Sequence, residues 1–273
     1  MQAFFPADSY RYPNERLILG LTLFLVLLVI AVTATATVCT GLVFVVAAVL
    51  TAYASSRAHH QALMQRALPV TDQTQPQLAS LTRQCASRLR PGPVEVYLTR
   101  SAELNAYTFG LDSPKVVVLY SSLLQVMDAS EMRFIIGHEL GHVALGHTRL
   151  NSLVGGMAGI PTGSSASAVL TMAFLWWNRT CELSADRAGL LACGDLEKAV
   201  TALVKLVAGP AGATRRGLEL AYRQIDAEDD TLLGDLGEAL SNHPMLIRRI
   251  TALRKFAGSR QYQRLQARFN QAA

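Results

Sequence analysis

His138, Glu139 and His142 spell H-E-x-x-H inside a stretch that reads as helix. Two histidines four residues apart share one helical face, about 40° apart around the axis. Their imidazoles can converge on one metal ion, and the glutamate between them is directed into the same space. Zinc suits neutral imidazole ligands, and a nearby carboxylate can take a proton from a zinc-bound water. The chemistry predicted is hydrolysis at one zinc per chain, with Glu139 as general base. A catalytic zinc takes three protein ligands and keeps one position open, so a third donor must exist elsewhere.

A third histidine in the same helix would require a glycine at position 145 and a histidine at position 148, where the chain has Leu145 and Thr148. His147 lies about 140° around the helix from His142 and is expected to be solvated or to stand behind the ligands. Forty residues on, Glu182 and Asp186 are again i and i+4, so both carboxylates share a face. Glu182 can supply the third ligand. Asp186 can accept the N–H of a ligating histidine, which fixes its tautomer and orientation. The bland alternative is a solvated Glu182 with Asp186 paired to Arg187 or Arg179, and the spacing alone would also allow the two carboxylates to exchange roles.

The elements that must position these groups are legible around them. Asp128-Ala-Ser-Glu131 is a capping box, and Met132, Ile135, Ile136, Leu140 and Val143 continue at helical spacing. Gly141 and Gly146 each cost helix propensity, about 1 kcal/mol relative to Ala; a small residue between the ligands suits the close passage of a strand or a substrate backbone. Ahead of this helix, Leu78–Leu89 reads as an amphipathic helix closed by Pro91-Gly92-Pro93. Val94–Leu98, Asn105–Phe109 and Lys115–Tyr120 read as strands. Such a small sheet can offer an edge strand with which an extended peptide pairs, and Asn105, Ala106 and Tyr107 are the candidates for that substrate-binding edge. Behind it, residues 151–178 lack charge but are too short to cross a bilayer and return. They are expected to form a loop and then a helix, Ala166–Trp177, leading into the helix of Glu182. Further helices are expected over Asp195–Val207, Gly217–Asp226, Asp230–Leu240 and Met245–Ala257, followed by a polar tail.

Taken together, Gly137 to His142, then Glu182 and Asp186, then His243-Pro244 ahead of Arg249-Ile250, resemble the HtpX-like and CAAX prenyl endopeptidase family of membrane zinc metallopeptidases. Asn105-Ala106-Tyr107 is similar to that family's Asn-Ala-aromatic segment. The likeness covers roughly residues 70 to 255, in order. It implies a gluzincin-type fold, one zinc and endopeptidase activity, with His138, His142 and Glu182 as ligands, Glu139 as base and Asp186 behind a ligand. It also draws His243 toward the zinc face, as a catalytic group that stabilises the oxyanion or fills the open metal position at rest. The chain lacks the many spans of the CAAX proteases, so the resemblance does not extend to a prenylated substrate.

Composition agrees with a membrane setting. Of 273 residues 51% are hydrophobic and only 16% charged, and the reason is local: Leu17 to Ala54 contains no charged side chain. As one helix this stretch would reach about 57 Å, nearly twice the hydrocarbon thickness of a bilayer. Two spans, 17–34 and 37–54, are expected instead, forming a hairpin over residues 1–56, then a connector 57–76 and a peptidase domain 77–273. Arg11 and Arg16 before the first span and Arg57 and Arg66 after the second place both ends in the cytoplasm. A bacterial inner membrane is the expected location. The four cysteines lack metal-site spacing and read as reduced. The net charge of +5 fits anionic headgroups rather than a nucleic-acid surface.

The sequence thus predicts a mainly helical α+β fold, a zincin-like domain carrying a small sheet and an N-terminal membrane hairpin. Its expected function is zinc-dependent endopeptidase action on protein or peptide substrates at a lipid bilayer, in membrane-protein quality control. A metal-binding adaptor or chaperone without proteolysis, or an exopeptidase, are the rivals. Glu139 counts against the first, since structural zinc has no use for a base beside an open position.

Overall fold

A computed structural model describes residues 6–36, 67–150, 165–212 and 244–272, with scattered positions between 43 and 66 and positions 152 and 219. Helix α1, Glu15–Ala36, carries the first apolar stretch. It is long and apolar enough over Glu15–Thr33 to cross a membrane, and most of that segment is not buried within the protein. The expected second span lies largely outside the described residues. Its described positions, among them Val43, Val46 and Leu50, are helical with exposed side chains.

A four-stranded sheet has the order β1 (Leu68–Pro69), β2 (Val94–Thr99), β4 (Lys115–Tyr120), β3 (Ala106–Phe109). Strand β4 runs parallel to β2 and antiparallel to β3. Its unbroken Val116–Leu119 run reflects cover on both faces. Val117 and Leu119 enter the main core, while Val116 and Val118 pack with Tyr97 and Phe109 on the other side. Part of the expected connector, Leu68–Pro69, therefore belongs to the sheet, pairing antiparallel with β2.

Helix α2 (Pro76–Leu89) and a short helix α3 (Leu123–Val126) lead to α4, Ala129–Ala144. The capping box of α4 is complete: Asp128 accepts from the N–H groups of Ser130 and Glu131, and the Glu131 carboxylate accepts from the Asp128 N–H. Lys205 on α6 (Leu196–Gly212) reinforces it by donating to Glu131 at 2.7 Å. Helix α4 is buried from Glu131 to His142 apart from Arg133, so a polar side chain on it must find partners inside the protein.

Its main neighbour is α5, Ser165–Cys193, one continuous helix where a shorter helix joined to a second was expected. Where α4 and α5 cross there is no room for side chains. A Cβ on Gly137 would lie 2.4 Å from that of Ala192, and one on Gly141 would lie 2.5 Å from that of Ala188. The expectation that Gly141 admits a strand or substrate is thus corrected, because the element it admits is a helix. Helix α7, Pro244–Ala257, packs on α5 and α6. The expected polar tail is instead a helix, α8 (Arg260–Ala272), whose Leu265 is buried in the core. The expected helices 217–226 and 230–240 lie outside the described residues, position 219 excepted.

Candidate metal centre

The close crossing of α4 and α5 sets three donor side chains face to face. His138 Nε2 and His142 Nε2 are 3.2 Å apart; His138 Nε2 lies 3.5 Å from Glu182 Oε2, and His142 Nε2 lies 3.3 Å from Glu182 Oε1. Donors about 2.0–2.1 Å from a tetrahedral ion are themselves separated by about 3.3–3.4 Å. The three side chains are therefore spaced on the scale of one face of a zinc coordination tetrahedron, each imidazole facing its own oxygen of Glu182. The donors, two imidazoles and a carboxylate, are a set that can hold such an ion.

What stands behind the triangle orients it. Asp186, one turn from Glu182 on α5, approaches His138 Nδ1 at 3.0 Å. An Nδ1–H donating to this carboxylate leaves the Nε2 lone pair turned toward the other donors. Neither Arg187 nor Arg179 pairs with Asp186. Its cation is Arg249 from α7, whose Nε and Nη2 grip the carboxylate at 2.8 and 2.6 Å while Nη1 stands 3.1 Å from Glu182. Burial works against ionising these carboxylates, but Arg249 and the histidines outweigh it, so Glu182 is held well below the ordinary range and Asp186 is lowered too. Burial likewise opposes charge on His138, yet Asp186 and Glu182 beside it raise its imidazole to about 10.

Glu139 is buried on α4 between the two histidines. Burial pushes its carboxyl above the ordinary glutamate value, against the pull of the neighbouring imidazoles and Arg249. A carboxylate with a raised pKa is suited to general-base work on a water that a metal in the triangle would bind.

His147 is not solvated: it is buried, with Nδ1 3.1 Å from His142 Nδ1 and Nε2 3.0 Å from Glu15 Oε1. Burial, offset in part by Glu15, lowers its imidazole to about 4, so it is neutral. Of the two places the sequence leaves open for His147, the one behind the ligands is occupied, whereas the sequence assigns no role to Glu15 or Arg249. A cation able to sit opposite the Glu182–Asp186 pair was the available signal for Arg249, and an acidic residue opening an apolar span was the signal for Glu15.

Strand β3 lies at a sheet edge and packs against α4. The carbonyl of Asn105 accepts from the Tyr120 N–H. The antiparallel alternation then turns the main-chain groups of Tyr107 and Phe109 toward β4 and those of Ala106 and Thr108 toward the open edge. The Tyr107 ring packs against Phe109 and Tyr120, on the sheet face away from the main core. Asn105, Ala106 and Tyr107 are thus at the expected edge, and among the described residues Ala106 is the one of the three whose backbone groups turn away from β4. His243 lies outside the described residues.

The family model for peptidase family M48 matches residues 71–257. The chain belongs to this family. Several of the chain's relatives are named as proteases or metallopeptidases. It is 29% identical over 190 residues to the plastoglobule-localized metallopeptidase 48 of Arabidopsis thaliana, covering 64% of this chain and 55% of that protein. It is 26% identical to a Protease HtpX homolog of Paenarthrobacter aurescens, covering 70% of this chain and 76% of that one. A Protease HtpX homolog of Kineococcus radiotolerans is 27% identical, over 72% of this chain and 61% of its own length. The chain thus spans about half the length of the Arabidopsis relative. These matches support the HtpX-like resemblance and a protease of metallopeptidase type.

Proposed function

We propose that this M48 chain is a membrane-anchored zinc endopeptidase. The observation that carries the reading is the metal-sized triangle of His138, His142 and Glu182 with the buried carboxyl of Glu139 beside it. Zinc held there supplies Lewis-acid polarisation of the scissile carbonyl and a water of lowered pKa. Glu139 accepts the proton of the attacking water and returns it to the departing amine nitrogen. Asp186 holds His138 in the tautomer that presents Nε2, and Arg249 keeps Asp186 and Glu182 ionised. The open edge at Ala106 and Thr108 pairs with an extended substrate backbone, and His243 is assigned to the oxyanion.

The apolar helix α1, and the second charge-free stretch after it, support an anchor of two spans, 17–34 and 37–54, with the peptidase domain cytoplasmic. A site so placed meets exposed or misfolded segments of membrane proteins, which is the substrate class we assign. The test is digestion of casein by the purified chain with and without chelator, alongside Glu139→Gln. The variant should bind zinc near one per chain yet cleave nothing. Turnover by Glu139→Gln, or zinc-independent turnover by the wild type, refutes the mechanism.

A further inference from the structure

The segment before the membrane-span candidate does not dangle. Tyr10 is buried in the domain core, and the Tyr12 N–H donates to Ser184 Oγ at 2.8 Å. Arg11 Nη2 donates to the Leu145 carbonyl at 3.1 Å, and Arg187 donates to the Arg11 carbonyl. These contacts deliver Glu15, the first residue of α1, into the protein with only 2% of its surface exposed. There its carboxylate meets Arg11 and Ser184 as well as His147.

Glu15, His147 and Cys181 are close enough to suggest a second metal site. Their bonding argues otherwise. Both Glu15 oxygens are already taken by cationic or hydroxyl donors, and burial pushes the Cys181 thiol up, away from the thiolate a metal needs. What the geometry does define is a directed chain. With Glu15 as terminal acceptor, His147 donates from Nε2 and its Nδ1 lone pair accepts from His142 Nδ1–H. His142 is left with its Nε2 lone pair toward His138 and Glu182.

We propose that Glu15 and His147 are positioning residues for the metal centre: through the chain His142–His147–Glu15, the helix that enters the membrane fixes the tautomer and ring orientation of one zinc ligand. The proposal rests on the zinc reading above. It gives His142 the support that Asp186 gives His138, with a difference of origin. The partner of His138 comes from α5 within the domain, whereas the terminal carboxylate behind His142 comes from the membrane-span candidate.

The experiment measures zinc affinity by chelator competition on the full chain in detergent micelles, and the visible spectrum of the cobalt(II)-substituted protein. His147→Ala should weaken zinc binding by roughly 10- to 100-fold, the scale for loss of a partner hydrogen-bonded to a ligand. Glu15→Ala, one step further out, should fall at the lower end of that range, about tenfold. Because both act through one chain, the double variant should bind zinc no more weakly than His147→Ala alone. The cobalt spectrum should change in both single variants but not in Ser184→Ala, which removes a Glu15 partner and leaves the chain intact. Should Glu15→Ala not fold, Glu15→Gln serves: it keeps an acceptor oxygen, loses the charge, and should show a weaker loss of the same kind. Additive losses, or wild-type affinity in a folded Glu15 variant, overturn the proposal. A wild-type protein that binds no zinc removes the underlying reading and the chain's role with it, an outcome distinct from zinc-binding variants that behave like wild type.

Discussion

Replacing Gly141 by alanine adds a single methyl group at the place where α4 and α5 touch. The added Cβ would stand 2.5 Å from the Cβ of Ala188. Ordinary carbon contacts are about 3.5–4.0 Å, so the helices must part locally by about 1 Å or more. The substitution gains about 1 kcal/mol of helix propensity and costs about 1–3 kcal/mol in overpacking. The net destabilisation is then between about zero and 2 kcal/mol, a fall in Tm of at most about 8 °C for a domain of this size. The site has no such tolerance, because Gly141 adjoins His142 and Ala188 lies two residues past Asp186. Donor separations of 3.3 and 3.5 Å between the histidines and Glu182 cannot absorb that displacement. A 1 Å misplacement of this kind costs about 100-fold in activity. The assay pairs kcat/KM on a quenched peptide with zinc affinity and thermal melting. The expected signature is a large functional loss with a small loss of Tm, restored by adding Ala188→Gly, which removes the opposing methyl. Gly141→Ala with zinc affinity and turnover within twofold of wild type would show that the crossing does not set the triangle.

Glu182→Ala should lose most bound metal, whereas Asp186→Asn should retain it with affinity or activity lowered by roughly 10- to 100-fold; metal analysis showing the reverse exchanges their roles. In the metal-free chain, the His138 imidazole is raised from 6.5 to about 10, so its contribution to stability is complete below pH 6.5 and is lost as pH rises through about 10. Apo-protein Tm should therefore decline over that interval more steeply than in the zinc-loaded chain, where the ion replaces the proton, and parallel profiles refute this. Reporters fused after Tyr10 and after Ala273 should both report the cytoplasm; opposite sides would mean a single span.

Much of the centre was legible because it is local. The capping box, the i, i+4 histidines and the i, i+4 carboxylates each lie within one helix, where spacing dictates direction. Lys115–Tyr120 was readable for a similar reason, its β-branched run being bounded by turn residues. The pieces that escaped are non-local. Arg249 closes on Asp186 from 63 residues away, and Glu15 reaches His147 across 132; no periodicity connects them. For His147 the angle around the helix excludes a place in the triangle and leaves solvent or a place behind the ligands open; the structure selects the second. The α8 helix was missed because its apolar positions are sparse, with Leu265 burying one narrow stripe.

The burial of Glu15 has a geometric consequence for catalysis. The first apolar residue of the span, Leu17, is two positions from a carboxylate that lies one imidazole and two hydrogen bonds from His142. With α1 in a bilayer, the short path from Glu15 to His142 would hold the candidate metal centre at a set height above the headgroups. Under the proposed membrane-anchored function, chains emerging from the membrane would come within reach as soon as they clear the interface. On that reading, folded domains carried on long stalks would pass above it uncut, and selection by distance from the lipid would precede any selection by sequence.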